Sequence, residues 1–209
     1  MIREKQKKTT RNNQRTRQTR GAIRQAVLAM LEHTPFLKIT VTEVCSRARI
    51  NRGTFYLHYY DLEDVLDDIL EEMFQNTAGI FSYLFHPEET EDHRACALCA
   101  SVHGDARYRL LFLDGHISGQ ILKKASALYK EDYVTYLMSH SLLTFQEAEA
   151  IFCFQMNGCL AVNRMMLENH CPDWRQIQRV LDGFIRAGME HFLIHDQREE
   201  NGWTAGRRG

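Results

Sequence analysis

Apolar residues recur at helical spacing from residue 23 onward. Ile23, Val27, Met30 and Leu31 stand at i, i+4, i+7 and i+8, which stripes one face of a helix beginning near Thr19. The pattern breaks at His33-Thr34-Pro35, because proline disfavours helical backbone at the residue before it. Thr40, with Glu43 three residues on, has the spacing of a capping box and predicts a second helix over 41–48 that turns Val44, Cys45 and Ala48 inward. Only Arg49 and Ile50 separate it from Asn51, a good cap for the next helix. Asp61 caps a fourth, from 62 to about 74, with Val65, Leu66, Ile69 and Met73 on its apolar face. Further helices are predicted over roughly 76–85, 92–103, 105–113, 117–139, 145–169 and 173–194, with the acidic stretch HPEETED as a loop.

No alternating β-branched run is present and the chain has three prolines, so the fold class is all-α. With 44% apolar residues, 209 residues can bury a substantial core. Residues 1–18 hold almost nothing apolar and are expected to be a disordered basic arm. The organisation expected is that arm, a helical unit over 19–66, a larger helical domain over 67–198, and a frayed tail over 199–209. No internal repeat is visible. The longest apolar run, 151–167, is interrupted by Gln155, Asn157, Asn163 and Arg164 and is a poor membrane span. The basic, polar N-terminus has no signal-peptide core, so six cysteines are expected as free thiols in a reduced cytoplasm.

Net charge of −1 conceals an asymmetry. Residues 1–60 carry 13 Lys/Arg against three acids, and residues 61–209 carry the other 13 against 24. One end is suited to a polyanion and the other is not.

The stretch INRGTFYLHY, residues 50–59, concentrates the chemistry at that basic end. Ile50, Phe55 and Tyr59 share one side of a helix, which leaves Arg52, Gly53, Thr54, Tyr56, Leu57 and His58 facing away. Two closely linked helices, the second presenting hydrogen-bonding groups, have the form of a helix-turn-helix. Arg52 can fork onto guanine or phosphate, and Thr54 can bond phosphate or touch a thymine methyl. Tyr56 and His58 offer further donors to phosphate, Gly53 permits close approach, and Thr40 opens a helix whose first amides suit an anion.

The segment ITVTEVCSRARINRGTFYLHYYDLEDVL, residues 39–66, closely resembles the DNA-binding domain of TetR-family transcriptional regulators, and the likeness covers residues 19–66. It implies that Thr40, Thr42, Arg52, Gly53, Thr54, Tyr56, Leu57 and His58 face double-stranded operator DNA. Two departures stand out. Arg49 replaces the turn glycine, so a non-glycine residue is expected to take a positive φ. Leu62 stands where a phosphate-contacting lysine usually opens the fourth helix, a missing charge that the basic arm can offset.

Toward the C-terminus, residues 151–166 hold one charged residue, Arg164, and carry two apolar stripes. Phe152, Met156, Cys159, Asn163 and Met166 form one; Ile151, Phe154, Gly158, Val162 and Met165 form the other. A helix apolar on two faces needs two partners, its own core and a second subunit. The last helix adds Trp174, Ile177, Leu181, Phe184, Ile185 and Phe192 at helical spacing. The resemblance assigns these two helices to a four-helix homodimer interface, formed by Ile151, Phe154, Gly158, Val162, Met165, Ile177, Leu181 and Phe184. It also implies a small-molecule effector cavity, for which Phe81, Tyr108, Phe112, Tyr129 and Tyr133 are the candidates.

His93, Cys96, Cys99 and His103 have the look of metal ligands, but on one helix they spread over roughly 15 Å and cannot all meet one ion. His191 and His195 make a weaker pair. No nucleophile elbow or phosphate loop is present, so neither an enzyme nor a bound cofactor is expected. The resulting expectation is a homodimeric regulator, with repression as the expected mode and affinity for DNA set by an effector. The alternative is a helical ligand-binding or redox- or metal-sensing protein on the same scaffold.

Overall fold

The chain folds as a succession of helices with no strand among the described residues, which in this computed structural model are 2–75, 106–171 and 173–192. None of these helices is long and apolar enough to cross a membrane. The predicted helices 76–85 and 92–103 lie outside the described residues, as do Phe81, His93, Cys96, Cys99, His103 and His195.

Helix α1 runs over Ile2–Met30. The helix predicted from near Thr19 thus begins further upstream than its apolar stripe indicates. Residues 2–18 contain no proline or glycine, and Lys, Arg and Gln lose little rotamer freedom in a helix. Nothing therefore stops the helix that the apolar stripe of 23–31 anchors. A 3₁₀ turn at Phe36–Lys38 leads into α2 (Val41–Ala48), α3 (Arg52–Tyr56) and α4 (Leu62–Gln75). Ile23, Val27, Val44, Phe55, Val65, Leu66, Ile69 and Met73 are all but inaccessible and form one core. Burying each such side chain contributes about 1.5–3 kcal/mol. The boundary expected after Leu66 falls inside α4, which continues unbroken.

A polar knot ties α1 and α4 to the link that follows α3. Asp68 accepts from Arg20 Nη2 at 2.6 Å, from Arg24 Nη1 at 3.3 Å and from the Tyr59 hydroxyl, and Arg24 also reaches Glu72 at 2.9 Å. Burial, reinforced by the bond to Asp68, pushes the Tyr59 phenol up to about 12. Two arginines that the charge count assigns to the basic end are thus neutralised by α4.

The rest of the described chain comprises a 3₁₀ turn at Ala106–Tyr108, α5 (Arg109–Leu113), α6 (Gly115–His140), α7 (Phe145–Glu168) and α8 (Trp174–Phe192). Helices α6 and α7 pack along each other over a core of Ile117, Ile121, Tyr133 and Leu137 with Phe152, Met156 and Leu160. Thr144 and Glu147 form a capping box at the start of α7. At its end the Cys171 amide donates to Met166 O at 3.1 Å, and His170 takes a positive φ of 46° to make the turn.

Burial separates the two stripes of α7. Phe152, Met156, Cys159, Asn163 and Met166 are buried, whereas Ile151, Gly158 and Val162 are half-buried and Phe154 and Met165 exposed. On α8 only Trp174 is buried; Ile177, Leu181 and Ile185 are half-buried and Phe184 is exposed.

Asp114 joins the N-terminal helices to the rest. Its Oδ1 caps α6 by accepting from the His116 and Ile117 amides at 2.9 and 3.2 Å. Its Oδ2 accepts from the Phe36 amide at 2.8 Å. The Phe36 and His116 rings stack at 5.6 Å, His116 Nε2 lies 2.8 Å from Glu63 of α4, and Lys124 donates to Asp67 at 2.7 Å.

Candidate nucleic-acid interface

The interface is built by caps. At the start of α2 the Thr40 hydroxyl accepts from the Glu43 amide at 3.3 Å, while the Glu43 carboxylate accepts from the Thr40 amide at 2.9 Å. The hydroxyl and then the amide of Thr40 hold the Glu43 carboxyl below its ordinary value. Thr40 is therefore occupied locally, and Thr42, exposed in the first turn of α2, is the freer hydroxyl.

Helix α2 stops because Arg49 adopts the left-handed conformation, φ 55° and ψ 44°, as the missing turn glycine implied. Its side chain is exposed, so backbone geometry alone offsets the positive φ: the Ile50 amide donates to Cys45 O at 3.0 Å, satisfying a terminal carbonyl. Asn51 then caps α3, its Oδ1 accepting from the Thr54 amide at 2.7 Å. A Cβ built on Gly53 would sit 3.3 Å from that same oxygen, so glycine leaves the cap uncrowded.

Helix α3 has only five residues, too few to be stable alone. It is held by Phe55, which is inaccessible, and by the next turn, where Tyr59 packs at 6.0 Å from Phe55. With those two inward, Arg52, Gly53, Tyr56 and Leu57 are exposed, and Thr54 and His58 are half-buried. Arg52 Nη2 lies 3.4 Å from the Tyr56 hydroxyl, with its guanidinium 5.9 Å from the ring centre. The hydroxyl, as acceptor, raises the Arg52 pKa further, so the side chain is a fixed cation. A single bond to Tyr56 leaves most of the five guanidinium donors available. All six residues expected to face outward from α3 and the turn after it are thus accessible, with Thr42 nearby in sequence on α2.

Two exposed groups carry no signal in the helical count around Phe55. Tyr60, 84% exposed, follows the inward Tyr59, and Lys38 is exposed just before α2. Carrying the count one step past Tyr59 would find Tyr60. Leu62, standing for the usual lysine, is half-buried and packs on the core, which accounts for an apolar residue at that place.

The expected effector residues are spread differently. Tyr108, Phe112 and Tyr133 are buried, the last donating its hydroxyl to Gln155, and Tyr129 is half-buried against the Phe74 ring at 6.0 Å. A cleft of about 330 Å³ does open between α4 and α6, lined by Leu66, Asp67, Leu70, Lys124 and Leu128, and none of those rings lines it. Among the described residues no three His, Cys, Asp or Glu side chains gather as metal ligands.

A stretch of 51 residues is 33% identical to the uncharacterized HTH-type transcriptional regulator YxbF of Bacillus subtilis (strain 168), covering 24% of this chain and 13% of that protein. Among solved structures, the chain is similar to the dihydroxyacetone kinase operon activator DhaS, with a TM-score of 0.42 and 15% identity over 84% of this chain and 98% of that one. No family model matches the chain.

Proposed function

We propose that this protein is a sequence-specific, DNA-binding transcriptional regulator of TetR type, and not an enzyme. The observation that carries the reading is the surface of α3 and the turn after it: Arg52, Thr54, Tyr56 and His58 are accessible together, while Phe55 and Tyr59 between them are buried and hold the segment from behind. The likeness of a 51-residue stretch to an HTH-type regulator supports it. In this reading α3 enters the major groove, Arg52 reads a base or clamps a phosphate, and Tyr56 donates to phosphate.

One such helix reads only a few base pairs, so two heads are needed for a genomic site. The outer face of α7 and α8 supplies the joint, since Phe154 is 70% and Phe184 68% exposed. A Cβ on Gly158 would meet nothing within 4 Å, so its own subunit does not demand glycine there; a partner helix approaching closely would. The operator-bound form is thus a homodimer. A small-molecule effector would act by changing how the heads are held, and the Asp114, His116–Glu63 and Lys124–Asp67 interactions are the mechanical link.

Selection of an operator from random duplexes, followed by titration of variants, tests the reading. Arg52→Ala should cost about 1–3 kcal/mol and relax base preference where Arg52 reads guanine. Tyr56→Phe should weaken binding on every sequence alike. Wild-type affinity in both variants would remove α3 as the reading element.

A further inference from the structure

The body of the protein is acidic, yet at the corner where α7 gives way to α8 its cations gather. A cleft of about 660 Å³ there is lined by Arg109 at the start of α5, His170 in the turn, and Arg175 and Arg179 one turn apart on α8, with Asp173 as the one acid. Its apolar part is formed by Met166, Leu167 and Trp174, of which Met166 and Trp174 are buried. We propose that this cleft binds an amphiphilic organic anion, with a phosphate, sulfonate or carboxylate head among the arginines and an apolar body against Trp174 and Met166.

Three considerations carry this. Residues 61–209 hold 13 Lys/Arg against 24 acids, so a local excess of cations is contrary to the surrounding charge. Arg175 and Arg179 stand at i and i+4, a like-charged spacing that destabilises a helix. A bound anion would remove that repulsion, and the positive end of α8 adds to its attraction. The cleft is also concave, of small-ligand size, and part apolar, which suits a small molecule better than a flat acidic surface.

The site is separate from both α3 and the cleft between α4 and α6, so its test does not depend on DNA. Trp203→Phe leaves Trp174 as the sole tryptophan and a reporter inside the cleft. Calorimetry and Trp174 emission should register saturable binding of hexyl phosphate, with inorganic phosphate and hexylamine each at least about tenfold weaker. Arg175→Gln with Arg179→Gln should weaken hexyl phosphate by about tenfold or more, as charge-assisted bonds are removed, with unchanged helicity in circular dichroism. Arg175→Lys with Arg179→Lys should retain part of the affinity. Equal binding of hexylamine, equal binding of inorganic phosphate, indifference to the glutamine pair, or no saturable binding of hexyl phosphate would each overturn the proposal.

Discussion

Two parts of this surface leave large side chains in water, and they do so in different company. Around α3, Tyr56 is 51%, Leu57 81% and Tyr60 84% exposed, interleaved with Arg52, Thr54 and His58. On α7 and α8, Phe154, Met165, Val180 and Phe184 are exposed among Ile151, Val162, Ile177 and Leu181, which are half-buried and apolar. The first face keeps donors beside each ring and suits a phosphate backbone, where hydrogen bonds orient and hydrophobic burial contributes little. The second sets hydrocarbon beside hydrocarbon at these positions and suits the same kind of surface on another copy. Exposure alone does not name a partner; the neighbours of the exposed residue do.

The comparison breaks most severely if the apolar face is charged. Gly158→Glu or Phe184→Glu places an unpaired charge where the partner subunit would desolvate it, and should yield monomers in sedimentation at micromolar concentration. Open space around Gly158 means the subunit itself can accommodate the change. Without the second head, operator affinity should fall by roughly 10²–10⁴. A folded monomer that still binds tightly would end the division of labour drawn above.

The polar face can be sharpened through its charge. Deleting residues 1–18 removes seven Lys/Arg from α1. For every phosphate that those cations neutralise, the slope of log affinity against log salt should flatten by about 0.9. An unchanged slope would confine the DNA interface to α2 and α3.

Between the two faces lies the Asp114 joint. Asp114→Ala leaves the His116, Ile117 and Phe36 amides without their acceptor and should cost about 0.5–2 kcal/mol in urea unfolding, near the usual value of a removed cap. The smallest effect concerns the box that starts α2. Glu43 titrates below 4.5 in the folded chain, so its contribution is present above that value and disappears as pH falls through the depressed one. The thermal-stability gap between wild type and Glu43→Gln should therefore close on acidification; a constant gap would mean that the carboxylate charge adds nothing to the box.

Local signals are legible without coordinates where a few neighbouring residues decide the outcome. Thr40 with Glu43, Asn51 and Asp61 each mark a helix start that the structure bears out through side-chain hydrogen bonds to backbone amides. The left-handed Arg49 is legible only through the resemblance, which places a turn glycine at that position. The α3 face follows from counting around a helix once Phe55 is taken as core. The start of α1 is not legible in this way. Polar composition there argues for disorder while propensity in the same residues argues for helix, and only continuity with the packed 19–30 decides between them.

What the sequence determined by itself, then, is the periodic and capped skeleton: an all-α chain, its helix starts, and two apolar stripes on α7. What buries the inner stripe was decided by the tertiary structure, because Phe152 and Met156 pack into the core shared with α6 while Phe154 is left in solvent. The same holds for the Asp68 knot, the Asp114 joint and the arginine cleft. Each joins residues far apart in the chain, through charges and lone pairs that carry no periodic signature, so only folding brings them together.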